Sequence, residues 1–257
     1  MDMFAQQRHQ AILERLQEEK AIKASELMER FNVSFETVRR DLEHLEKAGR
    51  LRRVHGGAVL SRLDYTKELP LNMREGAYVE EKREVARIAA RFVNEGMSIA
   101  MDASTTNHHL ARLLKNQITR LTVITNSLAI AQELSDVPGY RIILPGGVLH
   151  NEEQSMIGEL AEQFTAMFHA DLFFMSISGA TLEEGLTDYG IGEVQVKKVM
   201  LQNAKRTIAL ADSSKLGAVS LLKVCGADEV ECLITDSAVE PEFAESFKSK
   251  GIEVISR

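Results

Sequence analysis

The stretch "SFETVRRDLEHLEKAG" (residues 34–49) sets two adjacent arginines, Arg39 and Arg40, into a chain whose formal net charge is −7. Its periodicity predicts a helix. Val38, Leu42, Leu45 and Gly49 fall at i, i+4, i+7 and i+11, a narrow stripe for packing. Glu36, Arg39, Arg40 and Glu43 point the other way, with Thr37 at their flank. Ser34 suits the N-cap position, and Gly49 suits the close of the helix. Upstream, residues 7–19 place Ala11, Ile12 and Leu16 on one face with Leu13 beside them, and "ASELMERF" (24–31) turns Leu27, Met28 and Phe31 inward. Downstream, "RLRRVHGGAVL" (50–60) has β-formers around a Gly-Gly turn, the signal of a hairpin. Two helices, a tight "NVS" connection, a third helix and a hairpin make a winged helix-turn-helix over residues 1–59.

The charge distribution agrees with a polyanion partner for this block. Residues 1–57 hold 11 Lys/Arg against 10 Asp/Glu, whereas residues 58–257 hold 20 against 28. Within 37–57 six basic residues face three acidic ones, a local patch on an acidic protein. The remaining bulk numbers are those of a soluble globular chain: 257 residues, 44% hydrophobic, 27% charged. No apolar run approaches the ~18 residues of a membrane helix, and the N-terminus lacks the apolar core of an export signal, so a cytoplasmic protein is expected. Cys225 and Cys232, without a histidine cluster beside them, read as buried reduced thiols. No cofactor and no metal site are expected.

Residues 60–78 lack periodicity and read as a linker. From 79 to 257 helices alternate with short apolar strands: "SIAMD" (98–102), "LTVIT" (121–125), "RIILP" (141–145), "DLFFMSIS" (171–178), "TIALAD" (207–212), "CLITD" (232–236) and "IEVIS" (252–256). Near-continuous apolar strands separated by amphipathic helices such as "KREVARIAARFV" and "EVQVKKVMLQNA" indicate an α/β domain, a doubly wound parallel sheet covered on both faces.

The segment "VSFETVRRDLEHLEKAGRLRRVHGGAV" resembles the signature of the DeoR family of bacterial repressors of sugar catabolism. The likeness continues in order through "DASTTN" (102–107), "VITNS" (123–127), "ILPGG" (143–147), "GEVQVKK" (192–198) and "ADSSKLG" (211–217), and so spans nearly the whole chain. It implies a DNA-binding transcription regulator, usually a repressor, whose C-terminal domain senses a phosphorylated sugar. It further implies that this domain's fold is similar to that of ribose-5-phosphate isomerase and the coenzyme A transferases.

At the DNA end, a major groove about 12 Å wide admits one helix, and residues near the helix N-terminus meet the base edges. Ser34, Glu36, Thr37, Arg39 and Arg40 are placed there. Arginine bonds guanine bidentately and glutamate accepts from cytosine, while Thr37, Arg52, Arg53 and His55 suit phosphates. The alternative for Arg39 and Arg40 is an intrahelical pair with Glu36 or Glu43; His55 is equally readable as a turn residue. Asp41, toward the packed side, reads as an internal anchor. One module makes too few contacts for tight binding of double-stranded operator DNA, so a homo-oligomer, dimer or tetramer, joined through the C-terminal domain is expected.

At the sensing end, ligands of doubly wound sheets sit beyond the carboxyl ends of the strands. "DASTTN" ends a strand at Asp102 and starts a helix near Ser104, Thr105 and Thr106, offering backbone N–H groups and hydroxyls to a phosphate; the alternative is simple helix capping. Asn126, Gly146 and Gly147 occupy equivalent strand ends. Lys197 and Lys215 are candidates to neutralise the ligand, or else solvated lysines. Asp102, Glu193 and Asp212 are candidates to accept sugar hydroxyls. The rival reading is a sugar-phosphate isomerase or transferase with an added DNA-binding arm, since these are residue types that proton transfer needs. The chain nevertheless lacks an activated-nucleophile pattern, a Gly-x-Gly-x-x-Gly fingerprint and a Walker sequence. His108 and His109, adjacent and so facing different ways, read as surface histidines rather than metal ligands.

Overall fold

A computed structural model describes residues 5–19, 21–47, 50–54, 56–60 and 71–257. Gly49, His55 and residues 61–70 of the expected linker lie outside the described residues. The chain divides into two compact units, Met1–Val79 and Glu80–Arg257.

The first unit runs α1 (Ala5–Glu19), β1 (Ala21–Lys23), α2 (Ala24–Phe31), α3 (Phe35–Lys47), β2 (Leu51–Val54), β3 (Gly57–Leu60) and a single turn, α4 (Leu71–Arg74). Its core gathers Ile12 and Leu16 from α1, Leu27 from α2, and Val38, Leu42 and Leu45 from α3, all buried. The expected stripe on α3 thus faces inward. Asn32 ends α2 in the left-handed conformation at φ 49°, its N–H directed at the Glu29 and Met28 carbonyls, and this tight stop sets α3 off at a new angle.

The expected hairpin is a three-stranded antiparallel sheet ordered β1-β3-β2. Ala21–Lys23, to which the sequence pattern assigns no element, pairs with β3 in the register Ala21↔Val59. The two glycines divide the work. Gly56 takes the turn at φ +82°, while Gly57 lets β1 approach: a Cβ there would lie 2.0 Å from the Ile22 carbonyl oxygen.

Asp41 is the internal anchor expected of it. Buried on α3, it accepts from Arg8 Nε at 2.7 Å and Nη2 at 3.1 Å, and lies 2.9 Å from His9 Nε2. The His9 ring also stacks on His44 at 4.9 Å. These contacts fasten α1 across α3.

The second unit opens with α5 (Val79–Ala90), β4 (Ser98–Met101), α6 (Thr105–Leu114), β5 (Leu121–Thr125), α7 (Leu128–Leu134) and β6 (Tyr140–Ile143). A hairpin of β7 (Val148–His150) and β8 (Ser155–Ile157) follows, then α8 (Glu159–Thr165), β9 (Leu172–Ser176), β10 (Gly179–Thr181), β11 (Gly185–Asp188) and α9 (Ile191–Gln202). Next come β12 (Thr207–Leu210), β13 (Leu222–Cys225), β14 (Cys232–Ile234), α10 (Pro241–Lys248) and β15 (Glu253–Ile255). Seven strands form one parallel sheet in the order β15-β14-β12-β9-β4-β5-β6. They correspond to the seven apolar strands read from the sequence.

The side-chain alternation of the strands splits the core in two. Ile99, Met101, Leu172 and Phe174 join residues of α5, α6 and α7 on one face. Ala100, Phe173 and Met175 join Ala161 of α8, Val194 and Val196 of α9, and Phe247 of α10 on the other. The β7–β8 hairpin and a small antiparallel sheet, β10-β11-β13, are additions that the sequence reading does not anticipate. Cys225 and Cys232 are buried free thiols, each pushed up to about 12 by that burial.

The strand order positions the site. From β4 the chain proceeds outward through β5 and β6, then returns to lay β9 on the other side of β4 and continues through β12, β14 and β15. The winding therefore reverses between β4 and β9, and the crevice beyond their carboxyl ends is where such sheets receive ligands.

Candidate functional site

The first unit exposes the amino-terminal half of α3. Ser34 Oγ accepts from the Thr37 N–H at 3.3 Å and lies 3.0 Å from Thr37 Oγ1, so both hydroxyls serve the cap. Arg39 holds Glu36 with two bonds, Nε to Oε2 at 3.0 Å and Nη2 to Oε1 at 2.9 Å, and reaches Glu43 at 3.4 Å. Arg40 Nε donates to Glu36 Oε1 at 3.2 Å, yet its side chain is 74% exposed. The Arg39 guanidinium, helped by Arg40, brings Glu36 down to about 2. Two arginines thus share one carboxylate on an open helix face, and exposed pairs of this kind exchange readily for other anions. Arg53 is engaged elsewhere: its N–H and its Nε both donate to Glu46, each at 2.7 Å, which ties the wing to α3. Arg52 lies in β2 with its backbone opposite Val59. His55 lies outside the described residues.

In the second unit Asp102 follows β4 directly and is 3% exposed. Its Oδ1 accepts from the Ser176 N–H at 2.7 Å and from Asn107 Nδ2 at 2.9 Å; its Oδ2 accepts from Ser176 Oγ. Lys197, 2% exposed on α9, sets its ammonium 3.1 Å from Asp102 Oδ2, against Asp188 Oδ2, and 2.6 Å from the Ser176 carbonyl oxygen. Asp188 in turn accepts from Ser178 Oγ at 2.8 Å and the Tyr189 N–H at 2.9 Å. Burial works against the charge on Lys197, but Asp102 and Asp188 outweigh it and raise the lysine above its ordinary value. Burial likewise opposes ionisation of Asp188, and Lys197 overrides it, holding that carboxyl below the usual range.

This triad corrects the expectation for two residues. Lys197 is neither a solvated lysine nor a spare cation, because its charge is met by two carboxylates. Asp102 has both oxygens occupied by the protein itself. The pair clamps β4, β9 and α9 together at the switch point.

Around the clamp, Ser104 is the N-cap of α6, its Oγ accepting from the Asn107 N–H at 3.0 Å. Thr105 and Thr106 are buried in the first turn, where a helix supplies no acceptor for its own N–H groups. Asn126 reaches both ways: Oδ1 accepts from the Ala103 N–H at 3.0 Å, and Nδ2 donates to the Met156 carbonyl at 3.2 Å. Glu193 Oε1 takes Ser155 Oγ at 2.6 Å and His150 Nδ1 at 2.7 Å. Asn126 and Glu193 therefore grip the β7–β8 hairpin from two sides. Burial raises Glu193 while Ser155 and His150 lower it, with a net fall; the same carboxylate raises His150. Gly147 leads into the hairpin at φ +142°, with Ile157 O 2.7 Å from where a Cβ would sit, whereas Gly146 is open.

Asp212 and Lys215 stand apart. They follow β12, separated from β4 by β9. Asp212 Oδ1 caps its own short turn, accepting from the Ser214 N–H at 3.2 Å and from Ser214 Oγ. No carboxylate among the described residues pairs with half-buried Lys215.

His108 and His109 are half-buried rather than superficial. His108 Nε2 lies 3.4 Å from Glu133, and burial beside Lys82 pushes His109 down to about 4. No group of metal-holding residues occurs among the described residues, and no described helix is long and apolar enough to cross a membrane.

Asp188, Ser176, Ser178, Ser155 and His150, which the structure brings to this site, are not singled out by the sequence pattern. One signal was available for the clamp: Val194, Lys197 and Met200 share the i, i+3, i+6 line of α9, which marks Lys197 as inward-facing.

Comparison with known proteins matches both halves. Residues 8–62 match the DeoR-like helix-turn-helix domain, and residues 77–237 match the DeoR C terminal sensor domain. The chain is 36% identical over 252 residues to the HTH-type transcriptional regulator GolR of Listeria innocua, covering 98% of both. It is 34% identical to the HTH-type transcriptional repressor GlcR of Bacillus subtilis, covering 98% of this chain and 96% of the relative. It is 31% identical to the glycerol-3-phosphate regulon repressor of Escherichia coli, with 90% of each covered. Among solved structures, ribose 5-phosphate isomerase A of Methanocaldococcus jannaschii aligns over 55% of each chain at 19% identity and a TM-score of 0.40. The chain belongs to the DeoR family of transcriptional regulators.

Proposed function

We propose that the protein is a DNA-binding repressor of a carbohydrate operon, and that a phosphorylated sugar received at the β4–β9 switch point controls its grip. The observation that carries the first half is the open cationic start of α3, backed by a buried apolar stripe and braced through Asp41. Arg40 and Arg39 leave Glu36 for base edges or phosphates, and Ser34 and Thr37 stand at the same tip. The names of relatives, among them a glycerol-3-phosphate regulon repressor, support a phosphorylated effector.

For the effector, the first turn of α6 supplies the N–H groups and hydroxyls of Ser104, Thr105 and Thr106 to the phosphate. Glu193 and His150 face the sugar from the hairpin side. Asp102 and Lys197 act by holding the crevice in shape. Gly146 gives the ligand room beside the hairpin, and Asn126 ties hairpin and α6 loop to one another. Lys215, which pairs with no carboxylate among the described residues but lies beyond β12, is an outlying candidate. A ligand shifts such a system only by its difference in affinity between two states, and a hairpin gripped from both sides is an element able to hold two positions.

Leu160, Phe164 and Met167 form an exposed apolar line along and just beyond α8, at i, i+4 and i+7. This line supports association of two copies through the second unit, as paired half-sites require.

Operator binding measured at one salt concentration, with and without a panel of phosphorylated sugars, tests the proposal. A metabolite that changes affinity supports it; a panel without effect removes the sensing half. Turnover assays on the same sugars separate sensing from catalysis.

A further inference from the structure

Phe35 is the first residue of α3 and is 55% exposed, alone among the large hydrophobic side chains described in the first unit. The core makes no use of it, since the buried stripe begins one turn later at Val38. Its backbone is held all the same: Ser34 caps the turn through Thr37, and Arg39 lies one helical turn on along the same flank. The ring takes part in no aromatic stacking among the described residues, and it can donate no hydrogen bond to a phosphate or a carboxylate.

We propose that Phe35 reads thymine, packing its ring on the C5-methyl group in the major groove. That methyl is the one apolar mark the groove displays, and apolar side chains, phenylalanine included, recognise it by contact. Phe35 would then add an apolar specificity contact to the polar ones of Arg39 and Arg40. The inference rests on the DNA-binding reading of α3.

The test uses the full chain. Duplexes bound by the wild-type protein are selected from a random pool, and each thymine of the selected site is replaced in turn by deoxyuridine, which removes only the methyl. Wild type should lose about fourfold in affinity at one thymine per half-site, the factor expected for one buried methyl group. Phe35→Ala should bind the thymine duplex more weakly, lose the deoxyuridine effect at that position alone, and melt like wild type; Phe35→Leu should keep part of the effect. A wild-type protein indifferent to every methyl overturns the proposal, as does a Phe35→Ala variant with an unchanged pattern, which would leave the ring to a protein partner. Failure to enrich any duplex overturns the DNA-binding reading itself, a distinct result.

Discussion

Replacing Lys197 by methionine tests the electrostatic account of the clamp directly. The ammonium sits 3.1 Å from Asp102 and against Asp188, with all three groups buried. Methionine fills the stem's volume but leaves two carboxylates facing each other without a cation. Breaking a buried ion pair in this way costs about 3–5 kcal/mol. For a folding unit of 150–250 residues each kcal/mol lowers Tm by about 2–4 °C, so a fall of about 6–20 °C is expected. The pH dependence supplies the sharper check. In the native protein Asp188 titrates below its unfolded value, so its stabilising contribution is present above about pH 4 and is lost as pH falls through the native value. In the variant, burial without a cation raises the carboxylates instead. The defect is then largest at neutral pH and is relieved as acid protonates one of them. Melting followed by circular dichroism at pH 7.5 and pH 5.5, at matched ionic strength, should show a narrower gap between the two proteins at the lower pH. A loss of less than about 1 kcal/mol, or a gap that widens in acid, refutes the reasoning.

Four further outcomes are expected. Arg40→Ala should weaken binding of a labelled operator duplex by about 1–3 kcal/mol, measured by anisotropy at fixed salt, while its melting curve stays within about 0.5 kcal/mol of wild type because the side chain is exposed. Ser104→Ala removes the cap of α6, and should cost about 1 kcal/mol in denaturant titration together with a smaller thermal shift from an effective phosphorylated sugar, followed with an external dye because the chain has no tryptophan. Gly147→Ala forces a left-handed backbone and a clash with Ile157, and should lower stability by roughly 1–3 kcal/mol. Gly146→Ala, with nothing near its Cβ, should be close to neutral in the same titration.

The large features were legible because they rest on long patterns. Val38, Leu42 and Leu45 announced the buried face of α3, and strands such as "DLFFMSIS" were recognisable since both their faces meet apolar layers. Short elements were not. Ala21–Lys23 has three residues, too few for a period, and becomes a strand only because Gly57 admits it. Asp102, Asn126, Gly146 and Asp212 are candidates by their place at strand ends, but partners distant in sequence are not legible there: Asp102 meets Ser176 across 74 residues. Lys197 and Lys198 are indistinguishable by type, and the helical phase of Val194 and Met200 alone separates the buried one from its neighbour.

The strand order also has a consequence for synthesis on the ribosome. β4 and β9 lie side by side, yet β5, β6 and the hairpin are all made between them. The central pair, and with it the crevice, must wait for a long loop to close, whereas the wing module is built from near neighbours and emerges first. Structures rich in local contacts fold faster than those relying on distant pairing. The helix-turn-helix unit is therefore expected to be folded during synthesis while the central strands of the sensor domain still await their partners.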